Sequence, residues 1–330
     1  MQYDPRLDGI RALAALTVAA THAHMPGLTG GFFGVDIFFV LSGYLITCLL
    51  LAERERTGTL DWWGFMRRRF LRLWPAMTVF LVAYLAMAPW LWPGTPWLKH
   101  AQDAVLASLY LVNWAPNWGE YLSVLGHVWS LAVEMQFYVV WPLLFWGLLT
   151  WSRRTLMPVL GLLYVMATAW RWWGGDHLPD VWDVYIRTDM HCSGLILGSL
   201  IGVWNPRTAE AWTLPAVLVL AVAMTFFSSA WLPTVRYGFT VAELGAALLL
   251  IARPGWLAWP WLVWVGRLSY GLYLWHYLIM HKLTQGSESD WRVTLFCGVV
   301  GGLALAWLSQ RWVERRFHEP VFVRRPAVLV

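Results

Sequence analysis

Apolar residues in this chain come in long blocks, without the alternation of a half-buried strand or the single stripe of a soluble helix. Ten blocks approach the ~20 residues an α-helix needs to cross a bilayer. Bounded by proline, glycine or charge, they run over residues 9–25, 32–52, 74–92, 129–149, 156–173, 182–203, 212–231, 237–252, 268–283 and 291–312. The breaks between them are short except for residues 93–128, which carry Trp97, Trp114 and Trp118 among proline, asparagine and glycine. These tryptophans are either anchors at a membrane surface or platforms for sugar rings. The pattern predicts an all-α integral membrane protein of about ten transmembrane helices. With no internal repeat or low-complexity tract in view, residues 1–330 are expected to form a single transmembrane domain with no additional soluble catalytic domain.

Composition sharpens this reading. Of 330 residues, 59% are hydrophobic and only 13% charged, far from the average soluble chain. The net charge of +5 could suit nucleic acid, but the arginines cluster in the short breaks. With the N-terminus in the cytoplasm, the inner side collects Arg54, Arg56, Arg67, Arg68, Arg69, Arg72, Arg153, Arg154, Arg207, Arg253, Arg315, Arg316, Arg324 and Arg325. The outer side holds little beyond Lys99, Arg236 and Lys282. This asymmetry predicts that both termini are cytoplasmic, and no nucleic-acid partner is expected. The first apolar segment lacks a cleavage pattern and reads as retained. Cys48, Cys192 and Cys297 lie inside apolar runs without metal or disulfide spacing, so no metal is expected. The pairs Gly198/Gly202 and Gly298/Gly302 are spacings that let helices approach closely.

An ionisable side chain inside a span costs about 2.5–3.5 kcal/mol on insertion scales, so each asks for a reason. In "LDGIRALAALTVAATHA", residues 7–23, Arg11 and His22 are separated by ten others. On an α-helix that spacing is about 1100° of rotation and ~16 Å of rise, which places both on one stripe, Arg11 toward the inner end and His22 toward the outer. Snorkelling of Arg11 to phosphates is the structural alternative. Asp36, Glu134, Asp189 and Glu243 fall at similar outer depth in other blocks, an arrangement that predicts a polar cavity open outward.

Five stretches in order carry a resemblance. The Arg-x10-His segment is followed by "GVDIFFVLSGYLI" (34–46), "RRRFLRLWPA" (67–76), "HVWSLAVEMQFYVVWPLL" from His127, "RTDMHCSGLILG" from Arg187 and "GRLSYGLYLWHY" from Gly266. Over nearly its whole length the chain resembles the membrane-bound acyltransferase 3 family. The resemblance implies a ten-helix enzyme that takes an acyl group, usually acetyl, from cytoplasmic acyl-CoA to a hydroxyl of an extracytoplasmic acceptor, typically a glycan. The family's Arg-x10-His pair falls on Arg11 and His22 and its Arg-x-x-Arg motif on Arg69 and Arg72. Its Gly-Val-Asp stretch falls on Gly34, Val35 and Asp36, and its Trp-Ser-Leu-x-x-Glu stretch on Trp129, Ser130, Leu131 and Glu134. Met135, where an acidic residue is common, and His191, in a normally apolar run, depart from the pattern. No SGNH-type domain is expected after the last block, so a second transfer step is expected to need another protein.

Acyl transfer to an alcohol needs a base, and histidine, with an ordinary pKa near ~6.5, suits it. His22 is the expected base. Asp36 either orients its imidazole or caps a helix, and Glu134 is the rival partner. Guanidinium groups recognise phosphate bidentately. Arg69 and Arg72, with Arg67 and Arg68 beside them, are the expected acyl-CoA dock unless they serve only as a positive-inside stop, and Arg11 lies on the donor's route or meets a nearby carboxylate. His276 is a second base candidate or a hydrogen-bonded core residue. Ser42 and Ser130 lack a nucleophile-elbow sequence, which favours direct transfer. Glu314 beside Arg315 and Arg316 reads as a structural ion pair. Acetyl-CoA, a glycan or lipid-linked saccharide and membrane lipids are the expected partners. The acceptor ranges over lipopolysaccharide O-antigen, exopolysaccharide, peptidoglycan, lipid-linked oligosaccharide and secreted small molecules. A bacterial inner or cell membrane is the expected location. The rivals are a transporter or flippase for a lipid-linked sugar and a silent membrane scaffold.

Overall fold

A computed structural model describes residues 3–120, 122–148, 151–178, 180–229, 231–285 and 289–317. Arg324 and Arg325, counted above among the inner arginines, lie outside the described residues, as does the side chain of Arg153. Among the described residues the chain is helical and contains no strand. The helices are α1 (Pro5–His22), α2 (Gly34–Thr57), α3 (Trp62–Leu91), α4 (Trp97–Ser108), α5 (Trp129–Leu148), α6 (Arg153–His177), α7 (Val181–Ile186), α8 (Thr188–His191), α9 (Ser193–Trp204), α10 (Thr213–Phe226), α11 (Phe239–Ala252), α12 (Pro260–Thr284) and α13 (Trp291–Trp312).

Local chemistry explains several boundaries. Asp4 accepts the Arg6 amide and Pro5 presets the first turn of α1. Asp61 caps α3 through the Gly64 amide, and Ser152 caps α6 through that of Thr155. Gly58 closes α2 with φ of 75°, a left-handed turn that glycine adopts without a Cβ clash.

Five described stretches are long and apolar enough to cross a membrane: Gly31–Thr57, Trp62–Leu91, Leu125–Leu148, Thr234–Ala252 and Trp291–Arg316. The other candidate spans are short, as α9 and α10 are, or carry charge, as α1 does with Arg6, Asp8 and Arg11. The lipid-compatible surface is nonetheless continuous. On α10, Leu214, Val217, Leu218, Val222 and Phe226 are exposed at spacings of three and four, and Val293, Phe296 and Val300 form a matching row on α13. Apolar stripes of this extent suit hydrocarbon, not water, and the protein is a multi-pass membrane protein.

Helices that carry the polar groups pack backbone to backbone. A Cβ on Gly198 would strike the Val40 carbonyl, and one on Gly43 the Leu195 carbonyl, so α2 and α9 approach as closely as their glycines allow. Gly302 leaves α13 in contact with Leu272 and the backbone of His276 on α12.

Three expectations change. The block 182–203 is not one helix but α7, α8 and α9, interrupted where Arg187 is extended (φ −73°, ψ 136°) and again at Cys192. Arg187 turns back to hold Asp189 at 2.8 and 3.0 Å. The outer segment contains α4, and its Trp114 is neither a free sugar platform nor a surface anchor. The Trp114 indole N–H donates to Gln136 at 3.0 Å, and the Arg187 guanidinium lies 5.4 Å from its ring. Glu314, expected in an ion pair, instead accepts from the Ser309 hydroxyl at 2.8 Å.

Candidate active site

Arg11 and His22 lie on the single unbroken helix α1, so the stripe drawn from their spacing is present. Near the N-terminal end of α1, Arg11 donates to Asp8 at 2.9 Å, the carboxylate one turn before it. Arg11 also lines a cavity of about 90 Å³ with Ser42, Arg69, Arg72, Glu134 and Tyr273, roomy enough for several waters. The cavity is formed where α1, α2, α3, α5 and α12 converge.

Arg69, Arg72 and Arg11, the last paired with Asp8, face one lining carboxylate, Glu134, and leave this cavity electropositive. Arg69 is buried, stands 5.4 Å from the Phe65 ring and 5.9 Å from that of Tyr138, and its Nε has no hydrogen-bond partner among the described residues. Glu134 is engaged by the hydroxyls of Ser42 and Tyr138. Like charges gathered in a low-dielectric setting repel strongly, and an anion entering the cavity would relieve that repulsion. Arg68 does not join them. One residue is about 100° of rotation, and Arg68 donates instead to Glu53 of α2 at 3.3 Å.

At the other end of the stripe, His22 meets neither expected carboxylate. Its Nδ1 lies 2.9 Å from Nε2 of His276, with the rings stacked 5.2 Å apart, and Tyr277 stands edge-on at 4.8 Å. Nδ1 of His276 lies 2.9 Å from the Leu272 carbonyl, which only accepts, so that nitrogen carries a proton. In the neutral ring Nε2 is then an acceptor, His22 must donate to it from Nδ1, and His22 Nε2 keeps a free lone pair. His276, weighed above as a second base or a core residue, is thus the hydrogen-bond partner of His22.

Asp36 points elsewhere for a geometric reason. Gly34 faces α1, where an added Cβ would strike the Ala14 carbonyl and Thr17, and Asp36 lies about 200° farther round the helix. Its Oδ1 meets His191 Nε2 at 3.0 Å, both groups being buried. His191 also donates from Nδ1 to the Tyr185 carbonyl at 2.5 Å and stacks on Trp129 at 5.3 Å. The departure from the family pattern at residue 191 therefore supplies the partner of the family's aspartate.

The remaining carboxylates do not line a common outward cavity as expected. Asp189 pairs with Arg187. Glu243 is fully buried and bonded to Arg171 at 2.9 Å, Ser193 at 2.5 Å and Tyr164 at 2.9 Å. Arg171 also donates to Ser193 at 2.6 Å and Thr240 at 2.7 Å. The sequence reading passed over Arg171. Its signal was a lone cation inside the tryptophan-rich run "WRWW", which the price of burying a charge should have marked.

Comparison with known proteins gives the family. The acyltransferase-domain family model matches residues 4–311, and the chain belongs to that family. It is 34% identical to the peptidoglycan O-acetyltransferase OatA of Listeria monocytogenes, over 98% of this chain and 57% of that protein. It is 33% identical to YrhL of Bacillus subtilis, provisionally assigned the same activity, over 98% and 57% of the two chains. A Staphylococcus aureus protein provisionally assigned as an O-acetyltransferase is 30% identical over 97% and 58%. The chain thus spans less than three-fifths of the length of these curated relatives. No solved structure matches it.

Proposed function

We propose that this chain carries out the membrane step of an O-acetyltransferase. An acetyl group passes from acetyl-CoA at the cytoplasmic side to a hydroxyl of an extracytoplasmic glycan, in a ten-span bundle with both termini inside. The names of the relatives favour peptidoglycan over lipopolysaccharide or exopolysaccharide. The observation that carries the reading is the His22–His276 pair, with His22 Nε2 left free, on the helix whose other end brings Arg11 into a cavity with Arg69 and Arg72.

Those three arginines receive the phosphates of the donor or the polar part of its arm. The pantetheine arm then covers the ~16 Å along α1 to the histidines. The acceptor oxygen attacks the thioester carbonyl as His22 Nε2 takes its proton. The resulting imidazolium keeps its Nδ1–H bond to His276. The carbon–sulfur bond breaks, and the proton passes from His22 to the thiolate, giving the ester and free CoA. Ser130 shares a hydrogen bond with the Tyr273 hydroxyl, and neither Ser42 nor Ser130 has a nucleophile-elbow sequence, which makes direct transfer the simpler route.

The test is reconstitution in vesicles loaded with peptidoglycan fragments, with labelled acetyl-CoA supplied on the opposite side. Ester-linked label in the fragments, lost with His22→Ala, is the expected result. Acetyl-CoA left untouched while a lipid-linked sugar crosses the membrane would establish the transporter instead.

A further inference from the structure

The arginine cavity and the histidine pair do not share a lining. The cavity walls include Ser130 and Tyr273 but neither His22 nor His276. Tyr273 stands at the junction. Its ring lies 5.7 Å from that of His276, one turn farther along α12, and 5.9 Å from that of His127. At these separations the rings touch, leaving no room for another group between them.

The ring is also held in place. Its hydroxyl donates to the His127 carbonyl at 2.6 Å and lies 2.7 Å from Ser130 Oγ, and the residue is only 5% exposed. Both partners sit at the start of α5, within the turn Leu125–Val128 and the first residues after it. Tyr273 is thus a pinned aromatic plate between the place where a donor's anionic part would sit and the base that would receive its acyl carbon.

Resting on the acyl-transfer reading above, we propose that Tyr273 is the acyl-length filter of this protein. A donor thioester reaches His22 only over the edge of this ring, and each added methylene on the acyl chain collides with it. The same plate limits water. When the ring is absent, water takes the place of the acceptor hydroxyl, the carbon–sulfur bond breaks, and acetate and CoA are released.

The experiment compares acetyl-, propionyl- and butyryl-CoA as donors in the reconstituted vesicles for wild type, Tyr273→Phe, Tyr273→Leu and Tyr273→Ala, scoring ester formation and free acid separately. A pocket discriminates one methylene by about 10- to 200-fold. Tyr273→Ala is expected to raise the propionyl-to-acetyl ratio by roughly tenfold or more on that scale. Tyr273→Leu gives the same change in a variant that keeps more of the packing. Tyr273→Phe keeps the ring and the ratio but frees it from Ser130 and the His127 carbonyl, so its free-acid fraction rises. Ratios unchanged in both Leu and Ala variants that still make ester would overturn the filter and leave the transfer reading intact. Wild type that makes no ester from any donor would remove the transfer reading itself.

Discussion

Two groups of buried charge in this bundle are built on opposite plans. Around Arg171, one guanidinium faces one carboxylate. Hydroxyls from Ser193, Thr240 and Tyr164 complete the set, and neither side chain is exposed. Around Arg69, three guanidinium groups, of which Arg11 is paired with Asp8, share a cavity lined by a single carboxylate; the buried Nε lacks a partner among the described residues on Arg69 and Arg171 alike, so the difference lies in the charge count. A neutral cluster holds helices together. An open cluster with surplus charge is held by the fold in wait for something negative.

The contrast gives opposite signs to similar substitutions. The largest expected effect is on chemistry. His22→Ala lowers acyl transfer by about 10²- to 10⁴-fold, the usual worth of a general base, while thermal stability in detergent stays at the wild-type level. Next comes Arg171→Met, which strands Glu243 and costs about 3–5 kcal/mol of stability, read as loss of folded protein on heating. The double change Arg171→Met with Glu243→Met recovers most of that loss, since no buried charge is left alone.

Removing cations from the cavity acts the other way. Arg72→Gln relieves repulsion and leaves stability equal or higher, yet raises the KM for acetyl-CoA by roughly tenfold or more, as expected for a lost charged hydrogen bond. If Arg72→Gln instead unfolds the protein and spares KM, the two clusters are alike and the comparison fails. His276→Gln keeps an acceptor for His22 Nδ1 and is expected to retain more activity than His276→Leu, which does not. Equal kcat for the two variants would show that orientation by His276 contributes nothing.

The smallest effect lies outside the spans. Burial disfavours the Lys99 ammonium, but hydrogen bonds and charges from Glu120 and Asp103 outweigh it and raise its pKa. A raised lysine pKa contributes stability that is fully present below the ordinary lysine value and is lost as pH rises through the elevated one. With solvent screening, the contribution stays below about 1 kcal/mol. Melting curves of wild type and Lys99→Met are therefore expected to differ slightly at neutral pH and converge in strong alkali.

Much of the site was legible from spacing alone. Arg11 and His22 share a stripe because a helix repeats over a few residues, and Arg69 with Arg72 share a face for the same reason. His276 could be seen as a candidate, but not as the partner of His22, because 254 residues separate them. Asp36 was misdirected because proximity in sequence says that two residues are close without saying which way each points. The break at Arg187 was hidden inside an apolar block, since hydropathy counts residues and is blind to a φ/ψ change at one of them.

What the sequence by itself determined is therefore local or additive: membrane residence, the helical stripes and the family. These follow from burial cost summed over a block and from a period that each helix carries within itself. What only the tertiary structure decided is the rotation of each helix against its neighbours, set by where glycines permit backbone contact. That rotation turned Asp36 toward His191, gave Arg171 its carboxylate, left three arginines around one cavity, and brought a distant histidine to His22.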